Sequence, residues 1–192
     1  MILSWDAEGN IQWWVDISFA AHEDMKSRTG MLMKLGSGIV YGASNKQKIN
    51  TSSTTQAELV GVSDAMPKVL WSRYFIEAQG YTVEDVVVNQ DNQSTILLAN
   101  NGMNSVGKRS RHIRIKYFFV TDRIKNKDLR VQYCPTDDMI ADFFTKPLQG
   151  ALYIKHRNNI LGIKEEHMTL YLEEYAQYHR HGYDIDKIQT MA

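Results

Sequence analysis

The sequence predicts an α/β fold: one five-stranded mixed sheet, three strands antiparallel and two added parallel, flanked by helices. Three β-rich runs come first and share short connections. A long helical run follows, and single strands then alternate with helical patterns in the order β-β-β-α-β-α-α-β-α.

The first run, "IQWWVDIS" (residues 11–18), is a strand with Asp16 near its end. "TGMLMKLG" and "GIVYGASN" follow, separated by the hairpin loop "GSG" at residues 36–38. Residues 53–79 then turn helical. Leu59, Val62, Ala65, Met66, Val69, Leu70, Phe75 and Ile76 recur at three- and four-residue spacing. Ser53 or Thr54 caps that helix and Gly80 ends it, while Pro67 predicts a kink or a break into two helices. "DVVVNQ" is a strand leading into a short helix that ends near "NNG", and "RIKYFFVTDRIKNK" is an amphipathic helix. "LRVQYC" is the last strand. Pro135 breaks it, and "TDDMIADFFTK" resumes helical spacing, with Asp137 and Asp138 as caps of the helix that carries Asp142. "GALYIKHRNNILG" is one more helix, stopped by Gly162. The expected organisation is a folded domain over residues 11–148, a C-terminal helix over 149–162 and a tail over 163–192.

With 192 residues the chain has enough length for one sizeable core plus an appended segment, and 43% hydrophobic content is ordinary for a globular protein. No apolar run approaches the roughly 18 residues that span a bilayer. The N-terminus lacks the basic and apolar regions of a signal peptide. Cys134 is the single cysteine, which excludes an intrachain disulfide framework and argues against a cysteine zinc site. These features fit an intracellular, cytoplasmic protein rather than a secreted or membrane one. Net charge is zero, but residues 108–127 carry eight Lys or Arg against one acid, Asp122. That excess can neutralise phosphates, and it serves equally well as a solvated helix face.

Four acids stand out by position. Asp16 lies late in the first strand, Glu58 near the start of the long helix, Asp91 at the end of the fourth strand and Asp142 after the fifth. If the first and fourth strands are neighbours, the ends of those strands and one helix N-terminus can converge. Clustered carboxylates repel unless a positive charge sits among them, and hard divalent cations such as Mg²⁺ meet that need. Each acid also has an ordinary explanation. A strand-end Asp serves turns, Glu58 in "STTQAE" complements a helix N-terminus, and Asp142 fits a solvent-facing helix position.

From about Trp14 to Leu161 the chain resembles the ribonuclease H domain of copia-type (Pseudoviridae) LTR-retrotransposon Gag-Pol polyproteins. The matching stretches are "VDISFAAHEDMKSRTG", "SNKQKINTSSTTQAELVGVSDA", "LWSRYFIEAQGY", "VVNQDNQSTILLANN", "KRSRHIRIKYFFVTD" and "YCPTDDMIADFFTKPL". The resemblance implies a ribonuclease H-like fold and places the family's metal-binding acids on Asp16, Glu58, Asp91 and Asp142. It further implies two Mg²⁺ ions per site, with Mn²⁺ as an alternative, and cleavage of the RNA strand of RNA/DNA hybrids during reverse transcription. Asp16 and Asp91 would share the ions. Lys108, Arg109, Arg111, His112, Arg114 and Lys116 are the candidate nucleic-acid contacts, and the polymerase part of the same polyprotein is the candidate protein partner. Residues 1–10 would then be a remnant of upstream polyprotein.

Two departures from the family pattern matter. Gln56 stands where the family often has a second Glu, and "CPTDDM" lacks the histidine that cellular ribonucleases H commonly carry before the last Asp. His112 is the nearest substitute, although its basic surroundings suit a phosphate contact or a structural hydrogen bond better. His179 and His181 read as part of a solvated tail, and Trp13, Trp14, Trp71 and Tyr74 as core or rim. Two other functions fit the same residues: a non-cutting nucleic-acid-binding relic, and an integrase or transposase on the same fold.

Overall fold

The computed structural model describes residues 1, 3–5, 9–101 and 111–163, and only the backbone of residues 111–114. Residues Met1–Gly162 form one compact unit. The expected tail lies outside the described residues from position 164 onward, and with it His179 and His181. Among the described residues no helix is long and apolar enough to cross a membrane.

Five strands form one sheet: β1 (Asn10–Ser18), β2 (Arg28–Lys34), β3 (Ile39–Lys46), β4 (Asp85–Gln90) and β5 (Arg130–Tyr133). Their order across the sheet is β3-β2-β1-β4-β5. β1, β2 and β3 pair antiparallel, whereas β4 joins β1, and β5 joins β4, in parallel. The helices are α1 (Thr54–Ala78), α2 (Gln93–Asn101), α3 (Arg111–Lys125) and α4 (Gly150–Leu161). The mixed α/β architecture read from the sequence is the one observed.

Strand alternation divides the core between the two faces of the sheet. Ile11, Trp13 and Val15 of β1 point to one face. There they meet Leu59, Val62, Met66 and Val69 of α1, Ala99 of α2, and Tyr117 and Val120 of α3. Trp14 points the other way, into a smaller cluster with Leu32, Cys134, Met139, Ile140 and Ala141, on which Ile160 of α4 packs. Trp13 and Trp14 are core residues, while Trp71 and Tyr74 stand exposed on α1.

Three local expectations need correction. α1 runs unbroken through Pro67, so the predicted break into two helices does not occur. Pro67 is exposed, and its missing N–H removes a single rung from a helix anchored by buried residues on either side. The run after Pro135 is not an α-helix but two 3₁₀ turns, Thr136–Asp138 and Ile140–Phe144. Nor do Asp137 and Asp138 cap it: neither turn has a side-chain cap, and Asp138 instead pairs with Lys155 at 2.6 Å.

The second 3₁₀ turn lies directly on β2, where Gly30 makes room for it. A Cβ on Gly30 would stand 2.7 Å from Thr145 Cγ2, 2.9 Å from the Ala141 carbonyl and 3.0 Å from Phe144 Cβ. Two of those atoms belong to backbone or to the base of a side chain, so little can yield. Gly30→Ala is therefore expected to lower unfolding free energy by about 1–3 kcal/mol, measured by urea denaturation. A loss within experimental error would show that the turn is not held as tightly as described.

Candidate active site

The parallel pairing of β1 with β4 builds the site. Its last registered pair is Trp14 with Asn89, and continuing that register by two residues brings Asp91 level with Asp16. β4 ends at Gln90 while β1 runs on to Ser18. The chain turns away after Gln90 into α2 and leaves a notch beside the end of β1. Asp91 sits at the lip of that notch and Asp16 on its wall.

Glu58 arrives from α1. Ser53 caps the helix by accepting from the Gln56 N–H at 3.3 Å, and the Gln56 side chain accepts from the Ser52 N–H at 3.2 Å. These bonds to Ser52 and Ser53 give Gln56 a structural task at the helix start and leave the site to Glu58. Gly61 lets the helix settle close on β1, since a Cβ there would meet Ile17 Cγ2 at 2.8 Å. One carboxylate oxygen from each of Asp16, Glu58 and Asp91 then lies within 4.8 Å of the others.

Asp142 comes from the opposite face of the sheet, on the second 3₁₀ turn, and is buried like Asp16 and Glu58. It stands outside the triad of Asp16, Glu58 and Asp91. Lys146 links the two groups. Its Nζ lies 2.8 Å from Asp142 Oδ1 and 3.5 Å from Asp16 Oδ1. The Thr145 hydroxyl donates to the other Asp16 oxygen.

The residues around Asp91 each have work in this arrangement. Gln90 Nε2 donates to Glu58 Oε2 at 3.1 Å and to the Val15 carbonyl at 3.3 Å, while its Oε1 accepts from the Asn92 N–H at 3.0 Å. Asn89 donates to the Trp13 carbonyl, and Asn92 accepts from the Thr95 N–H at the start of α2. The amides flanking Asp91 thus tie β4 to β1, brace Glu58 and begin α2. Thr136 Oγ1 donates to Asp91 at 3.4 Å.

The electrostatics follow from this crowding. Burial, with the charges of Asp16 and Asp91 beside it, pushes the Glu58 carboxyl up to about 9, and Gln90 and Lys146 only partly oppose it. Burial also raises Asp16 to about 7, with Asp142 and Asp91 adding to the shift and Thr145 and Lys146 resisting it. Burial works against the charge on Lys146. Its contact with Asp142 and the field of Asp16 overcome that and hold its pKa above the ordinary lysine value. Without a metal ion the site therefore retains protons on carboxylates that would be ionised in water.

The predicted nucleic-acid contacts are described in part. Lys108 and Arg109 lie outside the described residues, as do the side chains of Arg111, His112 and Arg114, whose backbone opens α3. Lys116 forms an ion pair with Asp64 of α1. Further along the basic run, Arg123 is shared between Asp122 and Asp128. Lys146 and Gln90 are the site residues that the sequence reading passed over. Lys146 stands in the quoted "IADFFTK" block four residues after Asp142, a spacing that suits a cation beside a carboxylate. Gln90 carries no comparable signal.

No protein-family model matches the chain. It is 30% identical over 124 residues, 65% of its length, to the retrovirus-related Pol polyprotein from transposon TNT 1-94 of Nicotiana tabacum. It is also 30% identical over 133 residues, 68% of its length, to the retrovirus-related Pol polyprotein from transposon RE1 of Arabidopsis thaliana. The chain spans 9% of the length of each of these relatives. Among solved structures, LC11-RNase H1, isolated from compost by a metagenomic approach, matches with a TM-score of 0.53 and 12% sequence identity. The match covers 71% of this chain and 92% of that one. This likeness shows the fold, and the sequence matches supply the lineage. The chain belongs to the ribonuclease H domains of copia-type LTR-retrotransposon Pol polyproteins.

Proposed function

We propose that the chain is a divalent-metal-dependent endonuclease that hydrolyses the RNA strand of RNA/DNA hybrids during reverse transcription. The observation that carries this reading is the convergence of Asp16, Glu58 and Asp91, three carboxylates from three separate elements, within 4.8 Å of one another. The donor set fits a hard cation. It is all oxygen, Asp16 and Glu58 are buried, and both carry raised pKa values that a bound divalent ion would reverse.

Asp16, Glu58 and Asp91 would hold one Mg²⁺ or Mn²⁺ ion, and Asp16 with Asp142 a second. Such ions, when bound, supply an activated water and stabilise the leaving 3′-oxygen. The chain's own residues position and exclude. Gln90 holds Glu58 in orientation, Thr145 holds Asp16, and the closed helical face behind β1 keeps water from the rear of the site. Choice of the RNA strand would rest on 2′-hydroxyl and minor-groove contacts, with the basic run at the start of α3 meeting phosphates. Lys108, Arg109, Arg111, His112 and Arg114 are proposed for that role, and Lys116 would join them by exchanging Asp64 for a phosphate. The polymerase part of such a polyprotein is the proposed partner. The grouping of Asp16, Glu58 and Asp91, with Asp142 nearby across Lys146, supports an enzyme over a non-cutting binder. The long-helix Glu58 after "SSTTQA", with the acid order Asp-Glu-Asp-Asp, supports a ribonuclease H over a recombinase.

Asp91→Asn is the direct test. Removing an outer-shell partner of a metal site typically costs about 10–100-fold, so loss of a ligand should lower Mg²⁺-dependent hybrid cleavage by more than about a hundredfold. Full activity of Asp91→Asn on a labelled hybrid would overturn the assignment.

The raised carboxyls make a second prediction. In the folded, metal-free chain Glu58 and Asp16 release their protons near 9 and 7, against 4.5 and 3.8 ordinarily, so the native state holds more protons between those limits. The stability they contribute is complete below the lower values and is lost as pH rises through the higher ones. In EDTA the Tm should fall from about pH 5 to about pH 9, and Mg²⁺ should restore it at the alkaline end. Glu58→Gln should flatten the EDTA slope. A Tm in EDTA that stays level or rises over this range would contradict the electrostatic description.

A further inference from the structure

The clearest feature left unexplained by a two-ion site is the ammonium group already inside it. Lys146 Nζ bridges Asp142 Oδ1 at 2.8 Å and Asp16 Oδ1 at 3.5 Å. Both carboxylates have almost no solvent exposure, 3% and 2% for their side chains. Asp16 also belongs to the triad with Glu58 and Asp91, so one carboxylate takes part in both the triad and the contact with the ammonium. This is the pattern of a bridging carboxylate between two cation positions, and one of those positions is filled by the protein itself.

We propose that Lys146 is a built-in competitor for the second divalent ion: its ammonium occupies the position between Asp16 and Asp142 and must withdraw before an ion binds there. The inference rests on the metal-dependent reading given above and deepens it. A divalent ion held by Asp16 and Asp142 would need oxygen atoms at about 2.0–2.1 Å for Mg²⁺. An ammonium hydrogen-bonded to Asp142 and ion-paired with Asp16 at 3.5 Å cannot share that space, and the two positive charges repel. The lysine is placed for exchange. Its backbone N–H donates to the Asp142 carbonyl at 2.8 Å, which fixes the base of the side chain beside the carboxylate. The side chain itself remains 38% exposed, so the ammonium has a path to water. With Lys146 in place the chain offers a one-ion site whose remaining charge is balanced internally. With Lys146 withdrawn it offers two. The lysine thereby sets the metal concentration at which the second ion enters, separately from the affinity of the triad.

Mn²⁺ titration of the full 192-residue chain by calorimetry and by electron paramagnetic resonance reads the two binding events without any turnover. Lys146→Met removes the charge, and Lys146→Arg keeps it. The second Mn²⁺ should bind about tenfold or more tightly to Lys146→Met than to the original chain, because a unit positive charge has left its immediate vicinity. The first ion should change less, and Lys146→Arg should stay near the original affinities. The same Lys146→Met chain in EDTA should have a lower Tm, recovered on adding Mn²⁺. If it does not fold in EDTA, Lys146→Gln is neutral and still donates to Asp142, and it carries the same titration. A second-ion affinity unchanged within about twofold, or weakened, in both neutral variants overturns the competitor role while leaving the metal-dependent reading intact. If the original chain binds no Mn²⁺ at all, that reading fails and this inference with it.

Discussion

Holding carboxylates together away from water is the constraint to which the surrounding structure answers. Asp16, Glu58 and Asp142 are each nearly inaccessible to solvent, with Asp91 at the lip of the same notch. Left bare, such a group would keep only some of its charges, as the raised carboxyls of Glu58 and Asp16 show. The chain supplies a dedicated donor to every member. Gln90 serves Glu58, Thr145 serves Asp16, Lys146 serves Asp142 and Thr136 reaches Asp91. The neighbourhood is therefore preorganised for positive charge while still folding without it.

Convergence depends on the sheet. Because β4 lies parallel to β1, their C-terminal ends point the same way and Asp91 comes level with Asp16. Helix α1 then brings Glu58 from one face and the 3₁₀ turn brings Asp142 from the other. Two glycines allow these approaches. Gly61 seats α1 near Ile17, and Gly30 admits the turn that carries Asp142. Neither glycine touches a carboxylate, yet both decide how near the carboxylates come.

The legible parts of the fold were those with strong local signals. The "GSG" hairpin, the capped start of α1, the amphipathic α3 and the Gly162 stop of α4 all lie in short-range sequence patterns, and all are observed. Misread parts had local signals that packing overrode. Pro67 ordinarily breaks a helix, but α1 is clamped on both sides of it by buried Leu59, Met66, Val69 and Ile76. "TDDMIADFFTK" has helical spacing, but Met139, Ile140 and Ala141 must all reach the cluster around Trp14, and a tighter 3₁₀ path delivers them there. Asp138 has the chemistry of a cap, yet the nearby Lys155 of α4 claims it.

The same division holds at the site. The sequence by itself determined the α/β class, the boundaries of most elements, and the four acids as candidates, because residue type, spacing and family motif are local properties. Only the tertiary structure decided which acids form one triad, that Asp142 stands apart from it beside Lys146, and that Gln90 is the brace for Glu58. The pairing of Lys146 with Asp142 is four residues long and local, but its reach to Asp16 and the brace of Gln90 on Glu58 join residues 130 and 32 positions apart, and no local pattern encodes such a distance. Asp91 read alone was compatible with a turn. Its meaning comes from β1, the strand beside it, and that pairing exists only in the folded chain.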